Sequence, residues 1–297
     1  MESSNSNSVG LLKDIFTTVD KCLTDEEKNR LKAQDTRLVP EFKAKMLEDQ
    51  AQRHWDIFYK RNETNFFKDR RWTTREFEEL LEETQGRNDG QKFGNAKDQR
   101  RLFEVGCGVG NLIFPLIEEQ QKINFKVNRG WFYYACDFSP RAIEFVRSNP
   151  LYDERQIHAF QCDITTDQIH THISECSLDI ITMIFVLSAI HPHKFAVVVE
   201  NIYRLLKPGG IVLFRDYGRY DMAQLRFKPG NKIAENFYMR QDGTRSYFFA
   251  EKELTALFTD SDKFEVIENS YVHRRTLNIK EGIDVPRIFL QAKFRKR

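Results

Sequence analysis

Apolar and polar positions divide the chain near residue 100. Before it, apolar residues recur at helical spacing among many charges, and β-branched runs are scarce. "LTDEEKNRLKAQD" opens with Thr24 and carries Glu27 three residues on, a capping-box pattern that predicts a helix start. "VPEFKAKMLEDQAQRHWDIFYKRN" predicts one long amphipathic helix after Pro40, and "TTREFEELLEE" predicts another capped helix. The polar start, with "SSNSNS", predicts a disordered tail over 1–22. "TQGRNDGQKFGNAKDQ" predicts a flexible loop.

From Arg101 onward, short apolar runs alternate with amphipathic stretches. Strands are predicted at 101–106, 132–137, 156–162, 178–186 and 210–216, and helices near 110–120, 140–148, 167–172 and 194–206. That alternation implies a parallel sheet covered by helices on both faces. "LKPGG" (206–210) reads as a helix end and a turn into the fifth strand. "KFEVIENSYVHRRTLNIK" and "PRIFLQAKFRKR" read as two strands with no helix between them, an antiparallel hairpin. The organisation is then a tail over 1–22, a helical extension over 23–100 and an α/β domain over 101–297.

Composition adds limits. The chain has 297 residues, a net charge of +2, 40% hydrophobic and 30% charged residues, which suits a soluble globular protein whose basic footprint must be local. Its longest apolar run, "IITMIFVLSAI", is too short to span a bilayer, so no membrane partner is expected. The first residues lack a secretory or mitochondrial leader pattern, which points to the cytoplasm, with the nucleus also open. The five cysteines are widely spaced with no C-x-x-C pair, and are taken as reduced. An isolated H-x-H supplies too few ligands for zinc, so no metal is expected.

Chemistry concentrates at predicted strand ends. "LFEVGCGVGN" places Gly106, Gly108 and Gly110 after the first strand, where open α/β sheets bind ligands. Glycines let the backbone pass close to a ligand, and the next helix offers unpaired N–H groups. A dinucleotide or S-adenosylmethionine would suit such a loop. The dinucleotide spacing G-x-G-x-x-G would need a third glycine where Asn111 stands, which disfavours a dehydrogenase. Here Glu104 precedes G-x-G-x-G instead. Asp137 ends the second strand, where a carboxylate can accept two ribose hydroxyls. Asp163 ends the third, placed for an adenine amine, with Ile164 against the ring. Ile184 lies in "MIFVLSAIHP", the fourth strand end, which would border the reacting methyl group.

"WDIFYKRNETNFFKDRRWTTREFEEL", "GCGVGN", "CDFSPRAIEFV", "LSAIHP", "LFRDYGRYD" and "RQDGTRSYFF" together resemble the methyltransferase-like enzymes that make 3-methylcytidine in tRNA. The likeness spans about 25–295 and is nearest to the branch acting on cytosine 32 of serine tRNAs in association with seryl-tRNA synthetase. The one departure is a long link before the second strand, "QQKINFKVNRGWFYYACD". The resemblance implies a seven-stranded Rossmann-like α/β sheet of the class I methyltransferase type, S-adenosyl-L-methionine as cofactor, and a helical extension that binds RNA and lids the cofactor. It also implies that Trp55 and Tyr59 touch the cofactor, and their i, i+4 spacing places both rings on one helix face.

Neutral cytosine N3 can attack a sulfonium methyl without a general base, so alignment and charge management are the enzyme's work. A carboxylate near the exocyclic amine would stabilise the cationic product, and Asp216 is the candidate; His191, on the fourth-strand loop with His193, is a candidate for contact with the base. N3 is hidden in ordered RNA, so the base must be splayed out. Lys60, Arg61, Lys68, Arg70 and Arg71 interleave with Tyr59, Phe66, Phe67 and Trp72, a pattern suited to phosphates and stacked bases. Arg240 and Arg245 form a second basic cluster, and the tail "KFRKR" a third. A methyltransferase acting on protein or small molecules, and a non-catalytic RNA-binding scaffold, are the alternative readings.

Overall fold

The computed structural model describes residues 14–81, 99–123, 130–166, 168–278 and 283–297. The N-terminal part supplies an edge strand β1 (Ile15–Thr17) and helices α1 (Asp25–Asp35), α2 (Glu41–Asp49), α3 (Ala51–Asn62) and α4 (Thr73–Glu76). The α/β part follows as β2 (Arg100–Val105), α5 (Ile113–Ile123), β3 (Trp131–Asp137), α6 (Pro140–Arg147), β4 (Ile157–Gln161), α7 (Ile169–His172), β5 (Leu178–Ile184), α8 (Phe195–Leu205) and β6 (Leu206–Tyr217). Then come α9 (Met222–Leu225), β7 (Lys232–Ala234), β8 (Phe237–Met239), β9 (Arg245–Tyr247), α10 (Glu251–Thr259), β10 (Phe264–Asn278) and β11 (Ile283–Lys296).

The main sheet runs β1-β10-β11-β6-β5-β2-β3-β4. Its β2–β6 segment is parallel, and β11, β10 and β1 join antiparallel. The expected seven strands and hairpin are present, and β1 adds an eighth. Of the tail expected to be disordered over 1–22, residues 1–13 lie outside the described residues, while 14–22 are held in place: Ile15 pairs with His273, and Asp20 accepts from Tyr271 and pairs with Arg219. Those bonds anchor a stretch whose composition alone gives no reason to order.

Strand periodicity builds two cores. Leu102, Ile180 and Leu213 bury toward α5, with Ile113 and Ile117; their neighbours Phe103, Ile181 and Phe214 bury on the opposite face with Val198 and Ile202 of α8. In α6, Ser139 caps the helix by accepting from the Ala142 N–H, Pro140 sits in the first turn, and Ile143 and Val146 face the sheet. The capping box at Thr24 and Glu27 forms as the sequence indicates.

Three local expectations change. The single long helix after Pro40 breaks at Gln50, whose φ of −106° and ψ of 14° turn α3 away from α2. "TTREFEELLEE" is no continuous helix: α4 is one turn, followed by a 3₁₀ turn at Glu78–Leu80, because Phe77 leaves helical geometry to bury completely. "LKPGG" belongs to β6, with Gly209 at φ +78° making the bend. A separate sheet, β7-β8-β9, was not foreseen. The flexible loop's residues up to 98, the long link at 124–129 and the hairpin tip at 279–282 lie outside the described residues.

Candidate active site

Helices α2 and α3 lie across the carboxyl ends of the parallel strands and roof a cleft there. Side-chain contacts to the sheet and its loops hold the roof down. The Gln52 side chain donates to the Phe138 carbonyl at 2.9 Å, the Ser139 hydroxyl donates to Asp56 at 2.7 Å, and Lys194 Nζ lies 2.7 Å from Glu48. Trp55 and Tyr59 line the cleft from one face of α3, with ring centroids 6.1 Å apart.

The glycine loop forms the floor. Gly106 has φ +64°, and a Cβ there would stand 2.4 Å from Val186. Gly108 has φ +55°, and its missing Cβ leaves room for the Tyr59 hydroxyl. Both positions exclude a side chain by backbone geometry and by space. Gly110 does not line this cleft; it turns the loop against Phe114.

Four carboxylates behave differently here. Glu104 is buried, and neither oxygen has a hydrogen-bond partner among the described residues; the Ile113 N–H points toward it without reaching hydrogen-bond geometry. Burial pushes its pKa up to about 8, although Arg70 Nη1, 3.9 Å away, opposes the shift. Glu104 does not itself line the cleft; it lies behind the wall, where Arg70, which does line it, is the cation nearest its carboxylate. Asp137 lines the cleft and is held by the Gly108 and Ser139 N–H groups, both at 2.9 Å, against a burial that raises it to about 6. Asp163 and Ile164 line the next strand end, with Asp163 accepting from the Thr165 N–H and hydroxyl at 2.9 and 2.8 Å.

Asp216 differs from expectation. It is fully buried and outside the cleft lining, and its oxygens accept the Ser188 and Tyr217 N–H groups, both at 2.9 Å. It positions the turn after β5 rather than facing a substrate. His191 does line the cleft; its Nδ1 accepts the His193 N–H at 3.3 Å, and burial lowers its pKa. Ile184 lies beneath the cleft, and its carbonyl accepts from Arg70 at 2.9 Å; Phe185 and Val186 supply the β5 lining instead.

The basic residues separate into two groups. Lys60, Arg61 and Lys68 are exposed at the end of α3 and the turn after it, with Phe66 57% exposed beside them. Phe67 and Arg70 turn inward and line the cleft, and Arg71 is engaged by Glu118 at 2.6 Å. Arg245 is buried on β9 against Glu48, and Arg240 stands 5.2 Å over the Tyr217 ring. In the "KFRKR" tail, Lys293, Arg295 and Arg297 pair with Glu79, Glu265 and Asp262, and Lys296 donates to the Tyr203 and Leu206 carbonyls. These corrections share a cause: a charge run names the residues but not the face they take.

Sequence reasoning missed Glu48, Phe185, Val186 and Lys194, which all line the cleft. Glu48 lies on α2 and Trp55 on α3, on either side of the break at Gln50, so their seven-residue spacing marks no shared helix face and gave no usable signal. Phe185 adopts φ +58°, left-handed backbone for which an aromatic residue gives no sequence cue.

Residues 103–212 match the model of a methyltransferase domain family. The Homo sapiens protein named tRNA N(3)-cytidine methyltransferase METTL6 is 54% identical over 277 residues, covering 93% of this chain and 90% of that protein. The Drosophila melanogaster tRNA N(3)-methylcytidine methyltransferase Mettl2 is 45% identical over 247 residues, covering 83% of this chain and 71% of that one. A crystal structure of a SAM-dependent methyltransferase from Anabaena variabilis superposes with a TM-score of 0.55 at 14% identity, covering 83% of this chain and 95% of that chain; the two share a fold.

Proposed function

The chain belongs to the tRNA N(3)-cytidine methyltransferases, and from that membership we propose that it uses S-adenosyl-L-methionine to form 3-methylcytidine at position 32 of the anticodon loop of serine tRNAs. The cofactor reading is carried by Asp137 and Asp163, which line one cleft at successive strand ends beside the Gly106–Gly108 turn. Bound there, the cofactor supplies an electrophilic methyl group on a sulfonium sulfur. Asp137 would take the ribose hydroxyls, Asp163 and Ile164 the adenine, and Trp55 and Tyr59 would offer aromatic faces to the sulfonium.

The acceptor needs no base, because neutral cytosine N3 already carries a lone pair. Gripping the RNA falls to Lys60, Arg61 and Lys68, with exposed Phe66 able to stack on a base. A net charge of +2 is small for an RNA-binding enzyme, which favours tRNA affinity shared with seryl-tRNA synthetase. Incubation of the purified chain with total tRNA and labelled S-adenosylmethionine, with and without seryl-tRNA synthetase, followed by nucleoside mass spectrometry, tests this. The expected product is 3-methylcytidine in serine tRNAs; 5-methylcytidine, or no modified nucleoside even with the synthetase present, overturns the assignment. Full rate without the synthetase removes it as a required partner.

A further inference from the structure

The cofactor candidates lie over β2, β3 and β4, while β5 flanks β2 on the side away from β3. Past the end of β5 the cleft is walled by Ala189, Ile190, His191 and Lys194, with Arg245 reaching in from β9 and Glu48 from α2. Lys194 Nζ stands 2.7 Å from Glu48 Oε1, and Arg245 Nη1 donates to Oε2. Arg245 also donates to the Ala189 carbonyl at 3.3 Å, which fixes the acid relative to the loop after β5. Burial acts against the charge on Glu48, but the bonds from Lys194 and Arg245 outweigh it and hold the carboxyl below its usual range. Each carboxylate oxygen can accept two hydrogen bonds, and each has one cation here, so acceptor capacity remains.

We propose that Glu48 reads the target cytosine, its carboxylate accepting the hydrogen bond of the exocyclic N4 amine and stabilising the positive charge the ring gains on methylation. The inference rests on the proposed function. In the step, the N3 lone pair forms the new N–C bond, the electrons of the broken C–S bond stay with sulfur, and no proton moves. Uracil would present a carbonyl oxygen to the same carboxylate and an N3–H in place of the lone pair, so one acid both selects the base and favours its cationic product. Lys194 and Arg245 act through Glu48 and are positioning residues.

A cycle between protein and substrate tests this. Single-turnover methylation is measured on tRNA carrying cytidine at the target, and on a ligated tRNA carrying the 2-pyrimidinone ribonucleoside, which lacks the amine. Wild type, Glu48→Gln and Glu48→Ala are compared, with S-adenosylmethionine affinity measured by calorimetry. The preference for cytidine is expected to fall about 10-fold or more from wild type to Glu48→Ala, and in the same direction for Glu48→Gln. Intrinsic differences in N3 reactivity cancel in that comparison. An undiminished preference in either folded variant overturns the role of Glu48. Wild type that leaves cytidine unmodified with seryl-tRNA synthetase present overturns the functional reading itself, a separate result visible before any variant is made.

Discussion

The Tyr59 hydroxyl stands 3.0 Å from the point where residue 108 would carry a Cβ. A helix of the N-terminal extension and the glycine loop of the sheet thus fit each other to within one atom. Gly108→Ala would force that contact and also strain a backbone at φ +55°, at a cost of about 1–2 kcal/mol from conformation alone. S-adenosylhomocysteine affinity by calorimetry is expected to drop about 10-fold or more. Adding Tyr59→Phe should recover part of the loss; no recovery would show that the contact is not the cause.

Glu104 sets a pH dependence of unusual sign. Its carboxyl rises from 4.5 to about 8 in the folded state, mainly through burial, so the folded protein holds a proton that the unfolded chain releases. Stability of the ligand-free protein should therefore decline as pH rises from about 4.5 to 8 through this group. Glu104→Gln is expected to flatten that decline and raise Tm at pH 8 on the order of 5 °C, while weakening cofactor binding. Thermal melts across pH check it; a variant with the wild-type slope refutes it.

Arg70 and its exposed neighbours should part company. Arg70 lines the cleft, bonds the Ile184 carbonyl and faces the buried Glu104, whereas Lys60, Arg61 and Lys68 face solvent. Alanine at Arg70 is expected to weaken cofactor binding with little change in tRNA affinity. Alanine at the other three should weaken tRNA binding and shallow its salt dependence by roughly one unit of slope per lost phosphate contact. Filter binding over a salt series and calorimetry separate the two; matched effects on both ligands would contradict the split.

Asp216 is expected to act through architecture. Asp216→Ala strands the Ser188 N–H in the interior and should lower stability by about 1–3 kcal/mol in urea unfolding. A variant with wild-type stability and no turnover would restore the direct chemical role that the sequence suggested.

The parallel strands and the loops at their carboxyl ends were legible because two rules act locally: apolar alternation marks a strand, and glycine or aspartate at its end marks the loop. Glu104, Gly106, Asp137 and Asp163 need only that logic. Arg70, Arg245 and Asp216 escaped it, since charged side chains read as exposed until a partner from a distant segment is known. Glu48 closes on Arg245, 197 residues away, and no window of the sequence contains both. The break at Gln50 was equally hidden, because "EDQAQR" carries neither proline nor glycine.

Tyr59 and Lys60 are consecutive residues of α3, one pointing into the cleft and the other into solvent. A helix is stiff over that distance, so whatever fixes the ring also fixes the backbone from which the lysine stem springs. Under the proposed function, donor and nucleic acid would then be reciprocal effectors: the factor by which bound RNA tightens the hold on the donor would equal the factor by which the donor tightens the hold on RNA.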